Sequence, residues 1–206
     1  MNDVPQNNVP EVRARMVAEA IADIQAIEER DGVTRDSLEN IKYRLIALAA
    51  HRELFITPEF SAPEGAENLA CLYRLAEGAD HRRALYLNLC KPGTATPAHD
   101  HQTWSVIVGI RGEEQNKLYE RTEYDKVLQV GEVIVAPGSG ITFLPDDLHS
   151  IHINGPEVTV NFSMYGFGLE QLAERRYYDG DSDSWRHFAA HTDIREARPG
   201  RKSSSG

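Results

Sequence analysis

From residue 84 onward, short runs of alternating apolar and polar residues are cut at close intervals by turn-forming dipeptides. That punctuation limits the possible folds more than any other feature of the sequence. The runs are Ala84–Leu89, Trp104–Val108, Lys126–Val130, Val133–Ala136 and Val158–Tyr165. Between them stand Pro92-Gly93, Arg111-Gly112, Val130-Gly131, Pro137-Gly138 and Asn154-Gly155. A period of two suits half-buried strands, and runs this short cannot sustain helices. Many short strands at regular spacing predict an all-β sandwich or barrel.

The first sixty residues have a different period. Val12, Met16, Val17, Ala20, Ile21, Ile24 and Ile27 recur at helical spacing as far as Glu28-Glu29-Arg30, and Gly32 stops that helix. Asp36 followed by Glu39 suggests a capping box for a second helix, marked by Leu38, Ile41, Leu45, Leu48 and Ala49 and ending near Arg52. Leu169–Phe188 reads as a short helix, a turn at Asp179-Gly180 and an edge piece. The expected architecture is mainly β, a single domain across 1–206. A helical pair (1–60) packs on a small β-barrel, the barrel and C-terminal segment span 66–190, and 1–10 and 195–206 are loose ends.

Composition removes several classes of function. With 41% hydrophobic residues, a chain of 206 residues can bury a core without covalent staples. Cys71 and Cys90 form no C-x-x-C pair, so they read as small buried hydrophobes and a reducing cytoplasm is the expected location. No apolar run is long enough for a membrane span, and Met1-Asn2-Asp3-Val4-Pro5 does not begin a signal peptide. The balance of 22 basic against 32 acidic residues leaves no block that would track phosphates. The strongest basic cluster, Arg198 to Lys202, lies in a Gly/Ser tail. Neither nucleic acid nor membrane is an expected partner, and oligomeric state is open.

Four histidines stand in an informative pattern. His99 and His101 are two apart, so on an extended strand both imidazoles face one side and can converge on one ion. His149 closes a second strand–turn–strand unit after Pro145-Asp146-Asp147-Leu148. His152, three residues on, points away from His149 and is expected outside the ligand set. The two halves together, G-x5-H-x-H from Gly93 and P-x-x-x-H from Pro145, resemble the two-part signature of the cupin superfamily. That resemblance implies a double-stranded β-helix with His99, His101 and His149 as metal ligands. The carboxylate that usually follows the second histidine is replaced by Ser105 and Val106. Three neutral imidazoles leave the charge of a divalent ion uncompensated, which favours an anionic ligand such as a thiolate or carboxylate.

Within the cupins, the segments Thr96–Gly109, Asp147–His152, Val158–Gly166 and Glu174–Asp179 are similar to the thiol dioxygenases, the cysteine dioxygenase and 3-mercaptopropionate dioxygenase family. The resemblance spans about Leu72 to Phe188. It implies Fe(II), O2 and a small thiol substrate, with a sulfinate as product. The family carries a Ser-x-His-x-Tyr relay on the strand after the third ligand. Here that strand reads Asn161-Phe162-Ser163-Met164-Tyr165, so the alternation and Tyr165 are kept while the near-neutral titrating group is lost. Tyr73-Arg74 is placed like the arginine that holds the substrate carboxylate in cysteine dioxygenase, and Arg175 or Arg176 could do the same work. A non-thiol cupin oxygenase or isomerase, and a metal-binding sensor without turnover, are the alternatives.

Overall fold

The computed structural model describes residues 8–188 and 194–196. The Arg198–Lys202 cluster and the remainder of the expected tail lie outside the described residues. Helix α1 (Val9–Asp31) starts earlier than the apolar period suggests, because Pro10 in its first turn needs no intrahelical amide bond. It ends at Gly32, whose φ of +66° is readily adopted by glycine. Helix α2 (Arg35–Ala49) is capped by Thr34 and not by Asp36. Thr34 is extended, its Oγ1 accepts from the Ser37 amide at 3.1 Å, and Ser37 Oγ accepts from the Thr34 amide at 2.9 Å. Asp36 already lies in the first turn, so Glu39 turns outward to Lys42.

Eleven strands are described: β1 (Ala70–Ala76), β2 (Arg82–Cys90), β3 (Ser105–Arg111), β4 (Glu114–Arg121), β5 (Val127–Val135), β6 (Gly140–Phe143), β7 (Leu148–His152), β8 (Thr159–Phe167), β9 (Arg176–Asp179), β10 (Ser184–His187) and β11 (Ile194–Glu196). One sheet has the order β11-β1-β2-β8-β3-β6, antiparallel except for the parallel pair β1/β11. Thus Glu196, expected in the loose tail, pairs with Arg74. The second sheet has the order β5-β4-β7. The extended segment before His101 continues it through the bridges Ala95↔His152 and His99↔His149, and His99↔Tyr177 adds the β9–β10 hairpin. The two sheets form the double-stranded β-helix that the resemblance implied.

Two local expectations are corrected, and one strand lies where the sequence shows no period. Val130-Gly131 is not a turn: β5 runs through it, with Gly131 opposite Leu118 and a register shift between Leu118 and Tyr119. Strand β4 has no strand period in the sequence because Glu114-Gln115-Asn116-Lys117 contains no apolar residue. Leu169–Gln171 is a single 3-10 turn, so Arg175 and Arg176 stand at the entry to β9 and not on a helix.

The large sheet separates two environments. Tyr73, Leu85, Leu87, Val106, Val108, Phe162 and Met164 pack in one core with Ile24 of α1 and Leu38, Ile41 and Leu45 of α2. Burying each large side chain contributes roughly 1.5–3 kcal/mol. The alternate residues face into the barrel, and there the site is built. Among the described residues no helix is long and apolar enough to cross a membrane.

Candidate metal centre

Gly93, with φ of +87°, turns the chain out of β2 and into the segment that carries the first two histidines. His99 and His149 exchange both backbone hydrogen bonds, His99 N to His149 O at 2.9 Å and His149 N to His99 O at 3.1 Å. Directly opposed residues of such a pair project to the same face. His101, two residues on from His99, joins them. Ring centroids lie 4.5 Å (His99–His149), 4.9 Å (His101–His149) and 5.1 Å (His99–His101) apart. One nitrogen from each ring lies within 4.8 Å of the others, and all three residues are buried.

Each ring has a separate partner on its Nδ1. The His99 Nδ1–H donates to the Pro97 carbonyl at 2.9 Å, and His149 Nδ1 meets Asn116 Oδ1 at 2.8 Å. His101 Nδ1 lies 2.9 Å from the Ser105 hydroxyl, which can donate or accept. Ser105, where the resemblance leads to the expectation of a carboxylate, is thus an orienting group for His101. Outer partners of this kind fix the ring and leave Nε2 for the ion. Burial pushes His99 down to about 4 and holds His101 and His149 well below the ordinary imidazole range, so all three are neutral at physiological pH. Three neutral, pre-oriented imidazoles fit iron, zinc, copper or nickel. His152 stays outside: it is half-buried, with Nε2 against Ser150 Oγ at 2.8 Å.

The walls come from several elements. Phe143 lies 4.1 Å from the His149 ring and Phe188 5.6 Å from His99, centroid to centroid. Asn161, Ser163 and Tyr165 alternate along β8 on the barrel side, and all are buried. The Tyr165 ring is 5.3 Å from His101, and burial raises its phenol to about 12, leaving a neutral donor at the site. Gly166 lets β8 press against Trp104, whose Nε1 would lie only 2.7 Å from an added Cβ. The barrel-side row thus brings Tyr165 to the histidines.

The proposed substrate arginines are divided by the structure. Tyr73 faces the helices, donates to the Ser61 carbonyl at 3.0 Å and packs against Phe60. Arg74 is on the barrel side, in register with Tyr86 and then Ser163. Its guanidinium, however, meets Glu77 at 3.1 Å, Glu196 at 3.6 Å and also Glu170. Neither residue is brought to the histidines. Arg175 stands nearer: its guanidinium carbon lies 5.3 Å from the centroid of the Phe188 ring, which itself packs against His99, and it has no acidic partner among the described residues. Arg176 is committed to Asp100, which is 1% exposed and accepts from its backbone amide (2.9 Å), Nε (3.2 Å) and Nη2 (3.1 Å). That clamp holds β9 beside the ligand segment and sets Arg175 at the site. Asp100 was visible in His99-Asp100-His101, but nothing in the sequence named its partner.

No family model matches the chain, and no curated protein matches it. Among solved structures it is similar to a cupin superfamily protein from Desulfitobacterium hafniense (13% identity, 57% of this chain and 87% of that one, TM-score 0.41). An uncharacterised protein with a double-stranded β-helix domain from Klebsiella pneumoniae gives 14% identity over 66% and 95%, TM-score 0.40. An oxalate oxidase in complex with the substrate analogue glycolate gives 11% identity over 63% and 69%, TM-score 0.45. The chain is a mainly β protein of double-stranded β-helix type, with a three-histidine group able to hold a metal ion.

Proposed function

We propose that this protein is an iron(II)-dependent dioxygenase that converts a small thiol bearing a carboxylate to its sulfinate, RS⁻ + O2 → RSO2⁻. One observation carries the reading: a donor set of three neutral imidazoles, no carboxylate grouped with them among the described residues, and a guanidinium beside them without an acid. Such a site is short of negative charge by design of its own side chains, and a thiolate with a carboxylate supplies it. His99, His101 and His149 would hold iron(II), which when bound would supply the activation of O2 toward a thiolate that amino-acid side chains cannot.

The chain's own groups do the rest. Arg175 offers a planar fork that matches a carboxylate and orients the substrate, a task Arg74 cannot share while three glutamates surround it. Tyr165 holds its proton and donates it as a hydrogen bond where negative charge develops on oxygen. Ser163 acts on the Tyr165 phenol as a hydrogen-bond neighbour, and Asn161 continues the row. Phe143 and Phe188 exclude water from the imidazoles.

A second reading, a cupin that binds metal and ligand without turnover, has one observation in its favour: Ser163 leaves no group titrating near neutrality beside Tyr165. Oxygen uptake by iron(II)-loaded protein separates the two. Cysteine, 3-mercaptopropionate and mercaptosuccinate are expected to consume O2 and yield a sulfinate by mass, with cysteamine, which lacks the carboxylate, the poorest substrate. No uptake with any of the four, alongside a perturbed iron spectrum on anaerobic thiol addition, selects the binding protein. No perturbation by any thiol overturns the thiol reading altogether.

A further inference from the structure

The barrel contains a buried carboxyl that the proposed chemistry does not use. Glu114 is 1% exposed and faces inward at the start of β4, with Asn116 next on the same face. It has no cationic partner among the described residues; the titratable groups that face it, and that its charge acts on, are the Cys90 thiol from β2 and the Tyr165 phenol from β8. Burial raises its carboxyl to about 7, so keeping it there costs stability. Two amides meet it: Asn116 Nδ2 donates to Oε1 at 3.0 Å, and Asn161 Nδ2 from β8 donates to Oε2 at 2.7 Å. Asn161 is held there although its own Oδ1 is buried without a partner.

We propose that Glu114 is a positioning residue for the metal centre, setting the tautomer of His149 through Asn116. The inference rests on the metal-centre reading. Both Glu114 oxygens accept from amides, and in its ionised form the carboxylate has no donor to offer, so the Asn116 amide turns its Nδ2 toward Glu114 and its Oδ1 toward His149. An oxygen facing the imidazole accepts, so the proton of neutral His149 sits on Nδ1 and the Nε2 lone pair faces the other two histidines. With the amide reversed, Nδ2 would donate to Nδ1, the proton would move to Nε2, and the ligand atom would be blocked. Asn161 braces the second oxygen and links this chain to the Asn161–Ser163–Tyr165 row. Glu114 therefore ties the third ligand on β7 to the row on β8 through β4.

The test is nitrogen-15 NMR of the histidine rings in metal-free protein, with cobalt(II) titration followed by its visible spectrum. Wild type is expected to show His149 as the Nδ1–H tautomer. Glu114→Gln, which offers one acceptor oxygen to two amide donors, should populate the Nε2–H form, weaken cobalt(II) binding about tenfold and alter the cobalt spectrum. In an Asn116→Ala background the same substitution should have no further effect, which a general loss of packing would not reproduce. An Nε2–H tautomer in wild type overturns the proposal, even if the variant fails to fold. So does Glu114→Gln with unchanged tautomer and cobalt affinity. Failure of wild type to bind cobalt(II) would defeat the metal-centre reading, while the tautomer of the metal-free protein still decides the role of Glu114.

Discussion

Strand β8 presents two faces that are equally buried and chemically opposite. Val160, Phe162 and Met164 enter the core beneath the helices, whereas Asn161, Ser163 and Tyr165 line the barrel. No residue of either set is more than 9% exposed, so burial alone does not distinguish scaffold from site. The distinction lies in what each face meets. On one side are apolar side chains of α2 and Phe55, whose ring stands edge-on to Phe162 with centroids 4.7 Å apart. On the other are imidazoles, amides and a carboxyl that need specific partners.

Substitutions on the two faces should therefore fail differently. The largest effect belongs to the ligands: His99→Ala, His101→Ala or His149→Ala should abolish stoichiometric iron and oxygen uptake while the fold persists. Metal analysis beside circular dichroism checks this, and a triple-alanine variant that purifies with full iron would remove the centre. Phe162→Ala should do the reverse, lowering stability by about 3–5 kcal/mol through the cavity it leaves. Its denaturation midpoint should fall with the metal site intact below the transition.

Tyr165→Phe tests the barrel side of the same strand with almost no change in volume. It should keep fold and iron yet slow turnover on the order of 10²- to 10³-fold, as expected for loss of one pre-organised donor. An unchanged initial rate would make Tyr165 a plug, no different in kind from Phe162. Arg175→Met should act more weakly, raising KM for carboxylate-bearing thiols roughly 10- to 100-fold and leaving cysteamine unaffected. Equal effects on both substrates would detach Arg175 from carboxylate recognition.

The smallest contrast is in pH. With the three imidazoles pushed down, the unfolded chain binds more protons than the folded one below the ordinary histidine value. Their contribution is full above about pH 6.5 and is lost as pH falls toward 4. Glu114, raised to about 7, has the opposite sign: its contribution is present below the ordinary carboxyl value and lost as pH rises through 7. Calorimetry of metal-free protein should show a steep acid limb that His149→Gln flattens. Phe162→Ala should lower the curve without altering that limb.

Much of the scaffold was legible because its residues repeat. The period of three to four in α1 and α2 and of two in β2, β3 and β8 show in single runs of sequence, and the turn glycines at 93, 112 and 138 all adopt positive φ. Thr34 is not singled out by the sequence because Asp36 and Glu39 match the same short pattern two residues later. Strand β4 was not legible, since its inward residues are Glu114 and Asn116 and carry no apolar signal. His99, His101 and His149 could be named as a group because two lie at strand spacing and the third closes a matching unit.

By itself, then, the sequence determined the two helices, the strands β2, β3 and β8, the face of β8 that turns inward and the three imidazoles that can share an ion, because alternation and spacing act within a few residues. Tertiary structure decided which arginine reaches them. Arg74 and Arg175 are alike as side chains, but three glutamates from separate segments surround the first, and the Asp100–Arg176 clamp sets the second beside the site. It also placed Glu114 behind His149, joining β4, β7 and β8 through hydrogen bonds between residues 33 and 47 positions apart. Contacts at such separations depend on how the sheets close on each other, and no local pattern encodes that closure.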